Sequence, residues 1–240
     1  MGYTHMTTLY WKVVSDSSVN NSGTCTVNGL ELVSPILSGR EGLNELKVAV
    51  SALRNAGAMV DESCGLHVHH DAYEYSDKDI GRVVMLYARW EKVIDYTVKP
   101  SRRGNENSYC KSFEGLPWEE LRHCNVFDWS RRYGITRYWK VNVEAYNRHG
   151  TIEFRQHHGT LDPDEITAWV VFTQNIMEKA KAGAKVTRNI RNLSFKNLRD
   201  MLGASTVSAR DSIGLAAYRI IAKNFKKFAG LDGITIYSGL

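Results

Sequence analysis

The sequence predicts an α+β fold, in which a mainly antiparallel sheet is packed by helices and a helical part follows at the C-terminus. Stretches of alternating polar and apolar residues are typical of half-buried strands, and they recur through the first two thirds of the chain. Amphipathic helical patterns with start and stop signals lie between and after them. We expect a single domain over residues 1–240, with a sheet-and-helix core at about 11–180 and a helical extension at 184–240.

The elements are predicted in chain order. Strands are expected at 8–14, 30–34, 64–71, 138–146 and 151–157. Helices are expected at 41–56, 76–94, 117–123, 162–182, 194–202 and 211–228. Between the second and third helices, residues 98–118 show neither periodicity and are expected to form a long loop.

Composition limits the class of protein. Hydrophobic residues make up 43% of the 240 residues, which suffices for a core. No apolar run reaches membrane-span length and MGYTHMTTLY lacks the order of a secretory signal, so we expect a cytoplasmic protein with no membrane partner. The net charge of +5 is spread among acids, and no basic stripe is interleaved with aromatics, which disfavours nucleic-acid binding. Free thiols are expected at Cys25, Cys64, Cys110 and Cys124.

Two alternating runs at 138–160 predict a hairpin with a polar face. With a turn centred on Arg148 and His149, the opposite pairs are Glu144 with Glu153, Asn142 with Arg155, and Lys140 with His157. Two carboxylates facing each other need a cation beside them, which Arg155 or a divalent metal could supply. The hairpin therefore predicts a metal and phosphate site on a sheet, and a solvated charged face is the alternative.

Two further segments carry candidate ligands. The strand CGLHVHHD places His67 and His69 on one face, where two imidazoles can meet a metal or phosphate; hydrogen-bonded structural histidines are the alternative. The loop at 98–118 contains Arg102 and Arg103, which are candidates for phosphate binding if the loop is not simply solvated.

Several segments, taken in order, resemble the amidoligase family: ELVSP at 31–35, CGLHVH at 64–69, PSRR at 100–103, and TIEFRQH at 151–157 followed by GTL. The resemblance runs from about Trp11 to Ala180. That family is similar to glutamine synthetase and glutamate–cysteine ligase, so the resemblance implies a glutamine-synthetase-like catalytic sheet. It also implies an ATP- and Mg²⁺-dependent carboxylate–amine ligase that forms an amide through an acyl phosphate.

The resemblance and the strand patterns together suggest a role for each candidate residue. The expected catalytic residues are His67, Glu153 and Arg155. The expected metal ligands are Glu31, His67, Glu144 and Glu153. The expected ATP-binding residues are His69, Arg102, Arg103, Lys140, Asn142 and Arg155. The expected partners are a carboxylate and an amine, as small molecules or peptides, and homo-oligomerisation stays open.

One departure from the family pattern leaves alternatives open. Family members normally open with a strand of the form Gly-x-Glu-x-Glu, and MGYTHMTTLYWKVVSD has no match to it. Its carboxylates could be replaced by Glu31, Glu62 or Glu144, could come from another subunit, or could be missing from a truncated protein that binds with little catalysis. Two other functions compete: a catalytically degenerate protein with a structural or interaction role, and a zinc-dependent hydrolase that uses His67, His69, His157 and an acid.

Overall fold

A computed structural model describes residues 8–19, 29–117, 125–186, 194–201 and 212–231 as a mixed α and β protein with small antiparallel sheets. The predicted α+β class is confirmed. Two compact units divide the chain, one comprising residues 1–65 and 159–167 and the other residues 66–158 and 168–240. The glutamine-synthetase-like architecture and the single-domain organisation stay predictions.

The described residues of the first unit include a two-stranded antiparallel sheet and one complete helix. Strand β1 (Lys12–Asp16) pairs with β2 (Gly29–Val33), and helix α1 (Gly39–Asn55) follows. The strand predicted from residue 8 begins only at Lys12, which lies opposite Val33, the last residue of β2, and the chain bends at residues 9–10.

The second unit contains the sheet that positions the candidate site. Its strands are β3 (Gly65–Asp71), β4 (Val141–Asn142) and β5 (Thr151–His158), in the order β3-β5-β4. Because β5 is the central strand, all its residues after Thr151 are buried. Polar side chains on β5 are therefore held in a protein interior and need partners there.

Six helices follow β3 within the described residues. They are α2 (Asp77–Asp95), α3 (Asp128–Tyr133), α4 (Glu144–His149), α5 (Pro163–Lys181), α6 (Phe195–Met201) and α7 (Ser212–Leu231). Ser76 and Asp79 form the predicted capping box of α2, which packs against β5 through Tyr87 and Phe154. The two predicted C-terminal helices are confirmed as α6 and α7. The helix predicted at 117–123 lies outside the described residues except for Pro117. Of the predicted free thiols, Cys64 and Cys110 are confirmed, and Cys25 and Cys124 lie outside the described residues.

The predicted hairpin is wrong in its first strand and in its register. Only Val141 and Asn142 form a strand, with Asn142 opposite Glu153, and the following residues form helix α4. The Asn142 side chain accepts a hydrogen bond from the Glu144 backbone N–H over 2.9 Å, and Gly150 ends the helix at φ +66°. Glu144 therefore lies on a helix and is not paired with Glu153. No helix in the described part of the chain is long and apolar enough to cross a membrane.

Candidate functional site

Glu153 is the centre of a polar cluster on the second unit's sheet. Its Oε2 accepts a hydrogen bond from Asn142 Nδ2 over 2.6 Å, and its Oε1 accepts one from Arg155 Nη1 over 2.5 Å. Asn142 lies opposite Glu153 on β4, while Arg155 is two residues further along β5 and so shares its face. All three residues are buried, and the carboxylate is fixed by one amide and one guanidinium.

Two histidines of β3 complete the cluster. His67 Nδ1 lies 3.3 Å and His69 Nε2 lies 3.7 Å from Glu153 Oε1. The other ring nitrogen of His69, Nδ1, is 2.9 Å from the Thr151 hydroxyl, which fixes the ring. The intervening Val68 points away into the core, as expected for alternation along a strand. The predicted shared face of His67 and His69 is therefore confirmed, and it is directed at Glu153.

The cluster combines an ionised carboxylate with neutral imidazoles. Burial lowers the pKa of His67 to about 3, with a further contribution from the Arg155 charge, although its side chain is 29% exposed. Burial also lowers the pKa of His69. For Glu153, burial acts to raise the pKa, but the neighbouring His67 and Arg155, with smaller contributions from His69 and Asn142, outweigh it and hold the pKa below its usual range. At neutral pH Glu153 is charged and both imidazoles offer lone pairs.

Comparison with known proteins identifies the family. A family model described as "putative amidoligase enzyme" matches residues 3–177. The chain belongs to this amidoligase family. The match spans well over half of the chain and includes β3, β5 and every residue of the cluster. The family description suggests a ligase. Searches of curated proteins and of solved structures found no match.

The cluster contains one donor group of the kind that Mg²⁺ prefers. Mg²⁺ prefers oxygen ligands, and it is commonly held by one or two carboxylates together with water and substrate phosphates. Glu153 supplies one ionised carboxylate, while the two imidazoles are donors better suited to transition metals. The cluster therefore fits a magnesium ion that takes Glu153 from the protein and its remaining oxygens from a bound ligand and water.

Two of the expected ATP-binding residues are engaged elsewhere. The Lys140 ammonium is fully buried and donates to Glu91 Oε1 over 2.5 Å and to Asp95 Oδ1 over 2.7 Å. Arg103 donates to the backbone carbonyls of Val98 and Phe228 and stacks on aromatic rings. The donor groups of both side chains are therefore directed at other parts of the protein.

The remaining predicted residues are placed as follows. Arg102 is buried in a 3₁₀ turn at Pro100–Arg102, and its charge lowers the pKa of His67 after the larger contributions of burial and of the nearest side chains. Glu31 lies on β2 opposite Val14, in the first unit. Glu144 begins α4, with its backbone N–H bonded to Asn142.

The zinc set proposed from the sequence does not assemble. His157 stacks on His158 with ring centroids 4.3 Å apart and packs against Trp169. Within the residues that the structure describes, His67, His69 and His157 do not form a group whose ligand atoms all lie within 4.8 Å of one another. The zinc-hydrolase hypothesis therefore loses its expected ligand set.

Sequence reasoning missed the acidic partners of Lys140. Glu91 and Asp95 follow Tyr87 at intervals of four residues along α2, which places them on the buried stripe of that helix. A carboxylate on an apolar helix face requires a buried cation or a hydrogen-bond donor. The two carboxylates on the buried face of α2 were therefore the sequence signal that a cation such as Lys140 lies buried beside them.

Proposed function

We propose that this amidoligase is an ATP- and Mg²⁺-dependent carboxylate–amine ligase that forms an amide through an acyl phosphate. The observation that carries the proposal is the convergence of Glu153, Arg155, His67 and His69 on one face of the sheet. Hard oxygen ligands for Mg²⁺ and fixed positive charge for a transferred phosphoryl group are the physical requirements of this chemistry. The family membership supports the same reaction class.

Four residues of the cluster have separate tasks in this proposal. Glu153 would hold the metal ion, which would supply charge to neutralise the phosphate oxygens, and Arg155 would orient the transferred phosphoryl group. Asn142 keeps the Glu153 carboxylate in place through its 2.6 Å hydrogen bond. Burial lowers the pKa of His67 to about 3, so its neutral imidazole would serve as a ligand or a hydrogen-bond acceptor.

In this proposal the reaction has two steps. A carboxylate oxygen of the first substrate attacks the γ-phosphorus of ATP, and ADP leaves. The amine then attacks the acyl carbon, loses a proton and releases inorganic phosphate. The protein's contribution is to align the two anionic substrates and to stabilise the charge that develops on the phosphoryl oxygens.

Calorimetric titration of ATP, with and without Mg²⁺, tests the nucleotide site. We expect Mg²⁺-dependent binding by the wild type and its loss in Glu153→Gln, which keeps the shape of the side chain but removes its charge. Glu74→Gln is the matched control, since the Glu74 side chain is 80% exposed and forms a surface ion pair with Lys181. Absence of binding in the wild type would reject the proposal in favour of a catalytically degenerate protein.

Hydroxylamine trapping tests the chemistry. With ATP, Mg²⁺ and a panel of amino acid and peptide carboxylates, an acyl phosphate is converted by hydroxylamine into a hydroxamate that iron(III) detects. We expect hydroxamate and ADP in equal amounts from the wild type with at least one carboxylate, and none from Glu153→Gln. ADP formation without any hydroxamate across the panel would indicate ATP hydrolysis instead.

A further inference from the structure

Arg102 is a buried cation that lacks an anionic partner. Only 2% of the residue is exposed, and its Nε has no hydrogen-bond partner. Its Nη1 has the Cys110 sulfur at 3.8 Å, which is a weak acceptor. Within the described part of the chain, no carboxylate pairs with this guanidinium.

This arrangement differs from that of the other buried cations in the second unit. Lys140 has two carboxylates and Arg155 has one. Arginine stays protonated in proteins, so Arg102 cannot lower the cost of burial by losing its charge, as a lysine could. A buried unpaired charge is strongly unfavourable, and an anion supplied from outside the chain would remove that penalty.

The two guanidinium groups border the same short segment. Arg155 Nε donates to the Tyr109 carbonyl over 3.2 Å, and Arg102 Nη1 lies beside the sulfur of the next residue, Cys110. The backbone of Arg102 is also tied to β5, because Gln156 Nε2 donates to the Arg102 carbonyl over 3.1 Å. Arg102 is therefore held close to the Glu153 cluster.

We propose that Arg102 forms an anion subsite beside Arg155 and binds an oxyanion of the ligand, either a phosphate group or a carboxylate. The identity of this oxyanion rests on the proposed ligase function, in which both ATP and the first substrate are anionic. The subsite itself rests only on the burial and the missing partner of Arg102. Arg103 takes no part, because its guanidinium is occupied by two backbone carbonyls.

Thermal unfolding in the presence of anions tests the subsite. Wild type, Arg102→Met and Arg103→Met are titrated with sodium phosphate, with ATP and with L-glutamate, against sodium chloride at matched ionic strength. We expect a concentration-dependent rise in the melting temperature of the wild type. Arg102→Met should bind the same anion roughly tenfold to hundredfold more weakly, as for the loss of a charged hydrogen bond. A response to phosphate and ATP alone assigns the subsite to a phosphate, and a response to glutamate alone assigns it to a carboxylate.

Arg103→Met is the matched control. It loses its contacts to Val98 and Phe228, so it should melt at a lower temperature and keep the wild-type anion affinity. Arg102→Met should melt no lower than the wild type in the absence of added anions, because an unpaired charge has been removed. A lower melting temperature together with unchanged anion affinity would show that Arg102 is structural. If Arg102→Met does not fold, Arg102→Gln decides, because it also removes the charge, and wild-type affinity for every anion in that variant overturns the proposal.

The same titrations separate this inference from the proposed function. Arg102-dependent stabilisation by phosphate without any binding of Mg²⁺-ATP would support the subsite and reject the ligase. Mg²⁺-ATP binding that needs Glu153 but not Arg102, with no Arg102-dependent glutamate effect, would support the ligase and reject the subsite. If sodium chloride raises the melting temperature of all three proteins by the same amount, the effect is one of ionic strength and the subsite is rejected.

Discussion

Replacing Lys140 by methionine should destabilise the protein strongly. The lysine ammonium is fully buried, 2.5 Å from Glu91 Oε1 and 2.7 Å from Asp95 Oδ1, and both carboxylate side chains are largely buried. Lys140→Met removes the cation and leaves two carboxylates in the interior. Removing one partner of a buried ion pair costs about 3–5 kcal/mol. For a chain of this size the cost corresponds to a fall in melting temperature of roughly 6–20 °C.

A double variant separates charge from packing. Lys140→Met with Glu91→Gln should recover most of the lost stability, since Asp95 keeps hydrogen bonds from Gln156 Nε2 over 2.5 Å and from the Gly104 N–H over 3.1 Å. Its amide oxygen at position 91 can still accept from the Phe113 N–H, which is 2.9 Å from the Glu91 carboxylate. The assay is urea denaturation followed by circular dichroism. A single variant as stable as the wild type, or a double variant no better than the single, would refute this account of the buried network.

The loss should also depend on pH. Burial already raises the pKa of Glu91 against the opposing charge of Lys140, so removal of the lysine raises it further. The folded variant then binds a proton that the unfolded chain has released, at pH values between 4.5 and the raised pKa. Its stability falls as the pH rises through that window. The difference between variant and wild type should be larger at pH 8 than at pH 5, and the opposite trend would exclude Glu91 as the cause.

Two smaller perturbations test other parts of the second unit. Gly150→Ala should cost about 1–2 kcal/mol in urea denaturation because the residue has φ +66°, whereas Gly230→Ala, with nothing within 4 Å of the added carbon, should not destabilise; equal effects would contradict the backbone explanation. His70 is buried, with its Nε2 2.7 Å from the Thr173 hydroxyl, and burial lowers its pKa to about 4. The unfolded chain therefore binds more protons than the folded one between pH 4 and 6.5, and stability falls as the pH drops through that window. His70→Gln should flatten the pH dependence of the unfolding free energy by up to about 1.4 kcal/mol per pH unit, and an unchanged slope would exclude His70 as the source.

The sequence predicted the face of the site better than its pairing. Strand alternation depends only on the local pattern, and it correctly placed His67 beside His69 and Glu153 beside Arg155. The register was wrong by two residues, since Val141 rather than Val143 lies opposite Phe154. A register shift of two residues leaves the side chains of the paired residues on the same face of the sheet. The polar face was therefore predicted correctly although the pairing was not.

The errors arose where local signals were ambiguous. The segment from Glu144 to His149 alternates in polarity like a strand, but its residues are also compatible with a helix. In the structure it is helical, with the Asn142 side chain bonded at its start and Gly150 at its end. Such a six-residue helix has no periodicity long enough to recognise in advance. The contacts of Lys140 could not be predicted for a different reason. Its partners lie on α2, and strand alternation carries no information about such long-range contacts.

The charge of the cluster predicts the order in which its ligands bind. Within the cluster the Arg155 guanidinium balances the Glu153 carboxylate and the imidazoles are neutral, so the nearby buried guanidinium of Arg102 adds one net positive charge. Free Mg²⁺ is therefore repelled, and it must also displace Arg155 from Glu153 Oε1, whereas the Mg²⁺-ATP complex carries negative charge to both arginines. We expect no heat when Mg²⁺ is titrated alone at concentrations where Mg²⁺-ATP binds. Arg155→Met should reverse this preference, because it frees the carboxylate: Mg²⁺ alone should bind more tightly and Mg²⁺-ATP more weakly. Tight binding of Mg²⁺ alone by the wild type would show that the Glu153–Arg155 ion pair does not prevent free Mg²⁺ from binding to Glu153.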